Sequence, residues 1–95
     1  MFAKNPVLNE KIEGEELKNA IRLAMIAELD AINFYLQIAE KATDERVKKV
    51  FKDVAEEEAE HFGEFLELLR TLDPSFEPLV QRGIEEVKEL IGKKS

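Results

Sequence analysis

The 95-residue sequence has no cysteine and no tryptophan. Without thiols it has no disulfide framework, no thiolate metal site and no cysteine nucleophile. Helix-breaking residues are scarce as well, with 4 glycines and 3 prolines, and all three prolines lie outside the two long middle segments. Positive charge is outnumbered: 14 Lys plus Arg face 21 Asp plus Glu, for a net charge of -7. The chain therefore lacks the basic stripe that a nucleic-acid backbone requires, and an anionic membrane surface is disfavoured on the same ground. No apolar run approaches the roughly 18 residues of a membrane span. Met1 to Asn9 has neither the basic region nor the apolar core of a signal peptide. The expected location is the cytoplasm or a compartment inside it. The length allows one domain at most.

What remains is rich in Ala, Leu, Glu and Lys, all strong helix formers. The sequence predicts an all-α chain: an antiparallel two-helix hairpin with a short C-terminal helix. Residues 1–14 read as an irregular arm, punctuated by Pro6 and Gly14. Helix one is expected from Glu15 to Ala42, with Glu15 and Glu16 in a first turn whose free amides favour negative charge. Thr43 or Asp44 caps helix two, which is expected from Glu45 to Leu72. Asp73-Pro74-Ser75 ends it, because proline steers the preceding residue away from helix. Helix three is expected from Pro78, suited to a first helical position, to Ile91. Gly92 would supply a left-handed stop. The helical domain is thus 15–92, followed by a tail at 93–95.

Both long helices share one register. Leu17, Ile21, Ala24, Glu28, Ala31, Tyr35, Ile38 and Ala42 follow steps of four and three, and so do Val47, Phe51, Val54, Glu58, His61, Phe65, Leu68 and Leu72. This is the seam of a coiled-coil-like bundle. A second apolar stripe flanks each seam, through Met25, Ile32, Leu36 and Ala39 on one helix and Ala55, Ala59, Phe62, Leu66 and Leu69 on the other. One hairpin cannot bury faces this wide, and open apolar area is unfavourable at roughly 25 cal/mol per Å². A homodimer is expected, two hairpins making one ferritin-like four-helix bundle.

Glu28, Glu58 and His61 interrupt the seam, with Tyr35 as a partly polar member. Carboxylates are rarely buried unless paired or metal-bound. Glu28 lies 15 residues before Thr43 and Glu58 lies 15 after it. An antiparallel hairpin turning near Thr43 therefore brings them to one level. His61, three residues beyond Glu58, shares its helical face. One hairpin supplies two carboxylates and an imidazole, and a two-fold dimer doubles them into a dinuclear carboxylate site. Such oxygen-rich ligation suits iron or manganese, with zinc less favoured. The Tyr35 hydroxyl stands two turns along, where it either donates to a ligating carboxylate or bound water or belongs to a core aromatic. Phe34, Phe51, Phe62 and Phe65 read as packing. Asp30, Glu57, Glu60 and Glu64 are expected to be exposed, as a funnel for cations or as solubilising charge. The bland alternative is that the Glu56–Glu60 run is a solvated surface and His61 an ordinary core residue.

Two stretches carry a likeness: Ala24-Met25-Ile26-Ala27-Glu28-Leu29-Asp30-Ala31-Ile32-Asn33-Phe34-Tyr35, and Glu57-Glu58-Ala59-Glu60-His61-Phe62. With them the chain resembles the ferritin-like superfamily and, more closely, the encapsulated ferritins. The resemblance covers about Leu17 to Ile91. It implies Glu28, Glu58 and His61 as iron ligands completed by the same three from a second chain, with Tyr35 beside the centre. It implies a ferroxidase that oxidises Fe(II) with dioxygen, dimers assembled into a ring-shaped decamer, and an encapsulin shell in which the oxidised iron is mineralised. The chain departs from the family pattern at Ala27, where an acidic residue is common, at Asp30, and at Phe34, where tryptophan is common. No shell-targeting tail follows Lys94, which fits a shortened chain or a domain fused to its shell protein. Two rival functions share this frame: a rubrerythrin-like peroxide reductase, against which the missing cysteines argue, and a purely structural helical oligomer.

Overall fold

The computed structural model describes residues 11–93. They form three helices: α1 (Gly14–Lys41), α2 (Glu45–Leu72) and α3 (Phe76–Gly92). Most of the expected arm lies outside the described residues, as does the tail beyond Lys93. α1 starts one residue earlier than expected, on Gly14 itself. Gly14 has φ +60°, a conformation that L side chains rarely adopt, and it follows extended Glu13. Glu15 and Glu16 occupy the first turn as the free amides require. α2 begins on a side-chain cap. The Asp44 carboxylate accepts the Arg46 backbone N–H at 2.8 Å and the Arg46 guanidinium at 2.7 Å.

α3 departs most from expectation. It begins at Phe76 and not at Pro78, which sits third in the first turn. There too the missing N–H has no intrahelical partner to lose. Gly92 is not a left-handed stop. The helix runs through it, and Lys93 leaves in extended conformation with its N–H on the Glu89 carbonyl. No left-handed residue is needed there, because the Lys93 N–H closes the last i to i−4 hydrogen bond at 3.1 Å with Gly92 still inside the helix.

α1 and α2 pack antiparallel. α3 leaves the hairpin at the Asp73 corner and buries none of its own residues. The molecule is flat, 54 × 46 × 19 Å. Its thin dimension is less than two helix diameters of about 10–12 Å, so it is a single layer without a closed core. The fully buried set is small: Ile21, Ala31, Ala39, Ala55 and Leu69.

The burial pattern rotates the expected seam. On α2 the deepest residues are Ala55 and Leu69, from the flanking stripe, whereas Val47, Leu68 and Leu72 of the seam stay exposed. Phe34, expected in packing, is half exposed. The reason is geometric. A heptad seam points to the axis of a whole bundle, between two neighbours, but a hairpin offers each helix only one. On α2 the flank toward that neighbour is the deeper side and the seam is left more open, while on α1 the seam residues Ile21 and Ala31 stay buried beside the flanking Ala39. No described helix is long and apolar enough to cross a membrane.

Candidate metal centre

The middle of α1 carries Glu28 and the middle of α2 carries Glu58 and His61. Antiparallel packing with a three-residue turn brings the three to one level. One donor atom from each lies within 4.8 Å of the other two. His61 Nδ1 stands 3.6 Å from Glu58 Oε2 and 3.8 Å from Glu28 Oε2. These gaps exceed a hydrogen bond. They match donors arranged around an ion whose bonds are about 2.0–2.2 Å long, which spaces ligand atoms about 3–4.4 Å apart. Among the described residues this is the cluster of three or more His and acidic groups with that convergence.

Burial grades across the cluster. The two carboxylates are 18% and 20% exposed, while the imidazole is 47% exposed. Glu28 Oε2 is hidden from solvent and has no hydrogen-bond partner. An acceptor left bare in that way is costly, and a cation between it and His61 would compensate it. The site therefore fits a hard metal ion on oxygen and imidazole donors. It is also incomplete, because three ligands leave half of an ion's shell open and the opening lies on the His61 side.

His61 sits midway along an exposed apolar line on α2 made by Val47, Val50, Leu68 and Leu72. The open side of the site is thus the open side of the seam. Tyr35 enters through its ring, edge-on to Phe51 at 5.7 Å and tilted against Phe34 at 5.9 Å. Ala31 is buried and Ile32 and Val54 half-buried nearby in register, so the surroundings are small and apolar.

Of the acidic residues expected at the surface, Glu57, Glu60 and Glu64 are exposed. Asp30 is not. It is half-buried, and its Oδ2 is hidden without a hydrogen-bond partner. Asp53 escaped notice in the sequence. It lies one turn before Glu57, and the hydrogen bond and charge it directs at Glu57 push that carboxyl above the usual range. The i, i+4 spacing beside Glu58 was the available signal.

A sequence model of the Rubrerythrin family matches residues 19–91. The encapsulated ferritin domain of Pyrococcus furiosus, known from a crystal structure, superposes with a TM-score of 0.85 at 47% identity, with 100% of both chains covered. The chain belongs to the encapsulated ferritins, within the rubrerythrin family. Two full-length proteins are similar in sequence. The ferritin-like–encapsulin shell fusion protein of Pyrococcus furiosus is 50% identical over 95 residues, covering 97% of this chain and 28% of that protein. The encapsulin nanocompartment cargo protein EncC of Myxococcus xanthus is 36% identical over 78 residues, covering 82% of this chain and 60% of the cargo protein. This encapsulated ferritin thus spans less than two thirds of either full-length relative.

Proposed function

We propose that the chain is a ferroxidase: two copies face each other across the open seam, and their paired Glu28, Glu58 and His61 hold two Fe(II) ions for oxidation by dioxygen. One observation carries this reading. Three convergent donors, one of them a hidden and unpartnered carboxylate oxygen, open onto an apolar line that nothing in the described chain covers. A two-fold related copy covers the line and completes the ligand shell in one step.

Iron is the substrate. Two ferrous ions would give two electrons to dioxygen, which takes up two protons and leaves as hydrogen peroxide, and the ferric product would leave as a mineral precursor. Glu58, one turn from the imidazole on α2, would bridge the ions. Glu28 is a terminal ligand on the opposite wall, and His61 offers Nδ1. Carboxylates can change from one-oxygen to two-oxygen binding, which accommodates the rise in charge from Fe(II) to Fe(III). Tyr35 stands two turns from Glu28 with its ring fixed by Phe51, so its hydroxyl has a fixed height relative to the centre. The small apolar surroundings exclude bulky organic substrates. Manganese and zinc are alternative occupants with the same donors.

Kinship with an encapsulin shell fusion protein and an encapsulin cargo protein supports a place inside an encapsulin shell in the cytoplasm, with the shell protein as partner and the mineral held there. Further assembly into a ring of ten follows the family resemblance. Oxygen consumption on adding Fe(II) tests the activity. The parent protein consumes oxygen in proportion to iron, and the double variant Glu58→Ala/His61→Ala does not. Equal rates in parent and variant defeat the reading.

A further inference from the structure

Apolar packing gives α3 only a small hold on its direction, through the half-buried Phe76 and Val80 near its start. None of its residues is buried, and Leu79, Val87, Leu90 and Ile91 are more than half exposed. Charged groups converge on its base instead. Asp73, the last residue before the turn, is only 15% exposed. Lys18 Nζ lies 4.0 Å from one of its oxygens and the Arg22 guanidinium 3.9 Å from the other. The Ser75 hydroxyl donates to the same carboxylate at 2.7 Å. Lys18 and Arg22 belong to α1, so Asp73 ties the far helix of the hairpin to the corner. A second tie crosses the corner directly: Arg70 Nε in the last turn of α2 stands 2.8 Å from Glu77 Oε2 in the first turn of α3. Both atoms are hidden from solvent and neither makes an aligned hydrogen bond elsewhere. Arg70, 19% exposed, depends on the pair more than Glu77, which is 39% exposed and accepts from Gln81 at 3.2 Å through its other oxygen.

We propose that these two ties form a charge-set hinge, which fixes the angle of α3 to the hairpin and whose loss frees α3 to swing as a rod while the hairpin stays folded. Competing partners are in place to receive the freed cations. Glu15 already lies 3.1 Å from Lys18, and Glu67 lies 3.8 Å from Arg70 Nη1. The consequence for assembly rests on the reading above, in which copies associate. A contact made through α3 closes into a ring only if its angle is fixed, so the hinge selects closed assemblies over open or mixed ones.

The absence of cysteine makes the test direct. Spin labels on introduced cysteines at Asn19 in α1 and Glu86 in α3, both exposed, report the α1–α3 distance within one chain when labelled chains are diluted into unlabelled ones. The parent should give one narrow distance distribution. Asp73→Asn/Glu77→Gln should broaden it at least about twofold, with unchanged helix content. Salt at 1 M, where the screening length shrinks to about 3 Å, should broaden the parent less than the double substitution does, because it weakens the Asp73 tie more than the hidden Arg70–Glu77 pair. The exchanged pair Arg70→Glu/Glu77→Arg, with Asp73 intact, should restore the narrow distribution. A width indifferent to Asp73→Asn/Glu77→Gln overturns the hinge, and so does loss of hairpin helix in that variant. Dimer mass and iron oxidation are measured on the same parent sample. Their failure alongside a responsive distance removes the assembly reading and leaves the hinge standing.

Discussion

Glu28 and Glu58 place two carboxylates within 4.8 Å of each other and of one imidazole, about four-fifths shielded from water. Without a cation between them they repel and lack full hydration. If the cluster is the proposed metal centre, it should weaken the metal-free fold. Replacing such a set by neutral groups of similar shape should stabilise the empty protein. For Glu28→Gln/Glu58→Gln we expect a metal-free thermal transition raised by the equivalent of about 1–4 kcal/mol, together with loss of iron-dependent oxygen consumption. Calorimetry and an oxygen electrode on the same sample check both halves. A variant that loses activity and also stability would mean that these acids hold the fold instead of straining it. Position by position, this centre was legible in the sequence because ionisable groups on a heptad seam are conspicuous. Asp53 was not legible, since it sits off the seam among other acids and only the fold shows it against Glu57.

α2 shows what a periodic pattern reveals about an element and what it hides. Its limits, Glu45 and Leu72, are written in local chemistry: an aspartate cap at one end, Asp-Pro at the other. Which of its faces is deepest is not local, because that depends on how many neighbours the helix has. Leu69 is 1% exposed and its neighbour Leu68 is 46% exposed. Leu69→Ala should cost about 2–5 kcal/mol of hairpin stability. Leu68→Ala should change hairpin stability by less than about 0.5 kcal/mol and should instead raise the dissociation constant of the dimer. Urea unfolding and sedimentation separate the two effects. The ends of α3 were misread for a related reason. Its proline and glycine are compatible with several frames, and no packing residue fixes the choice. The cap of α2 also sets an acid limit. The Arg46 side chain, then its backbone N–H, hold the Asp44 carboxyl below the usual carboxylate range. A group lowered on folding stabilises above its unfolded pKa of about 3.9, and that stabilisation is lost as pH falls through the lower folded value. Protection of the Arg46 amide from hydrogen exchange should therefore persist at pH 5 and disappear only below about pH 4.

As a whole the described chain is a single helical layer 19 Å thin, with an apolar line left exposed beside the candidate ligands. If two copies close on that side as proposed, metal binding and dimerisation become one equilibrium. An ion held by ligands of two chains binds the dimer and not the monomer, so it must favour the dimer by RT ln(1 + [L]/Kd) for each site. By reciprocity, dilution must weaken metal binding by the same factor. Manganese(II) isolates this linkage from oxidation chemistry, because it fits the same donors. At a protein concentration where the parent is half monomer, Mn(II) at 100 times its Kd should favour dimer by about 2.7 kcal/mol for each of the two ions, a shift of about ten-thousandfold in the association constant. Sedimentation velocity reads this as near-complete conversion to dimer. Glu58→Gln/His61→Ala should show no conversion at the same Mn(II). Leu68→Ala, with its ligands intact but its interface weakened, should still convert, only from a more dissociated start. If monomers bound Mn(II) tightly and stayed monomeric, the ligands would be closing on one chain, and the open side of the seam would have nothing to do with the metal.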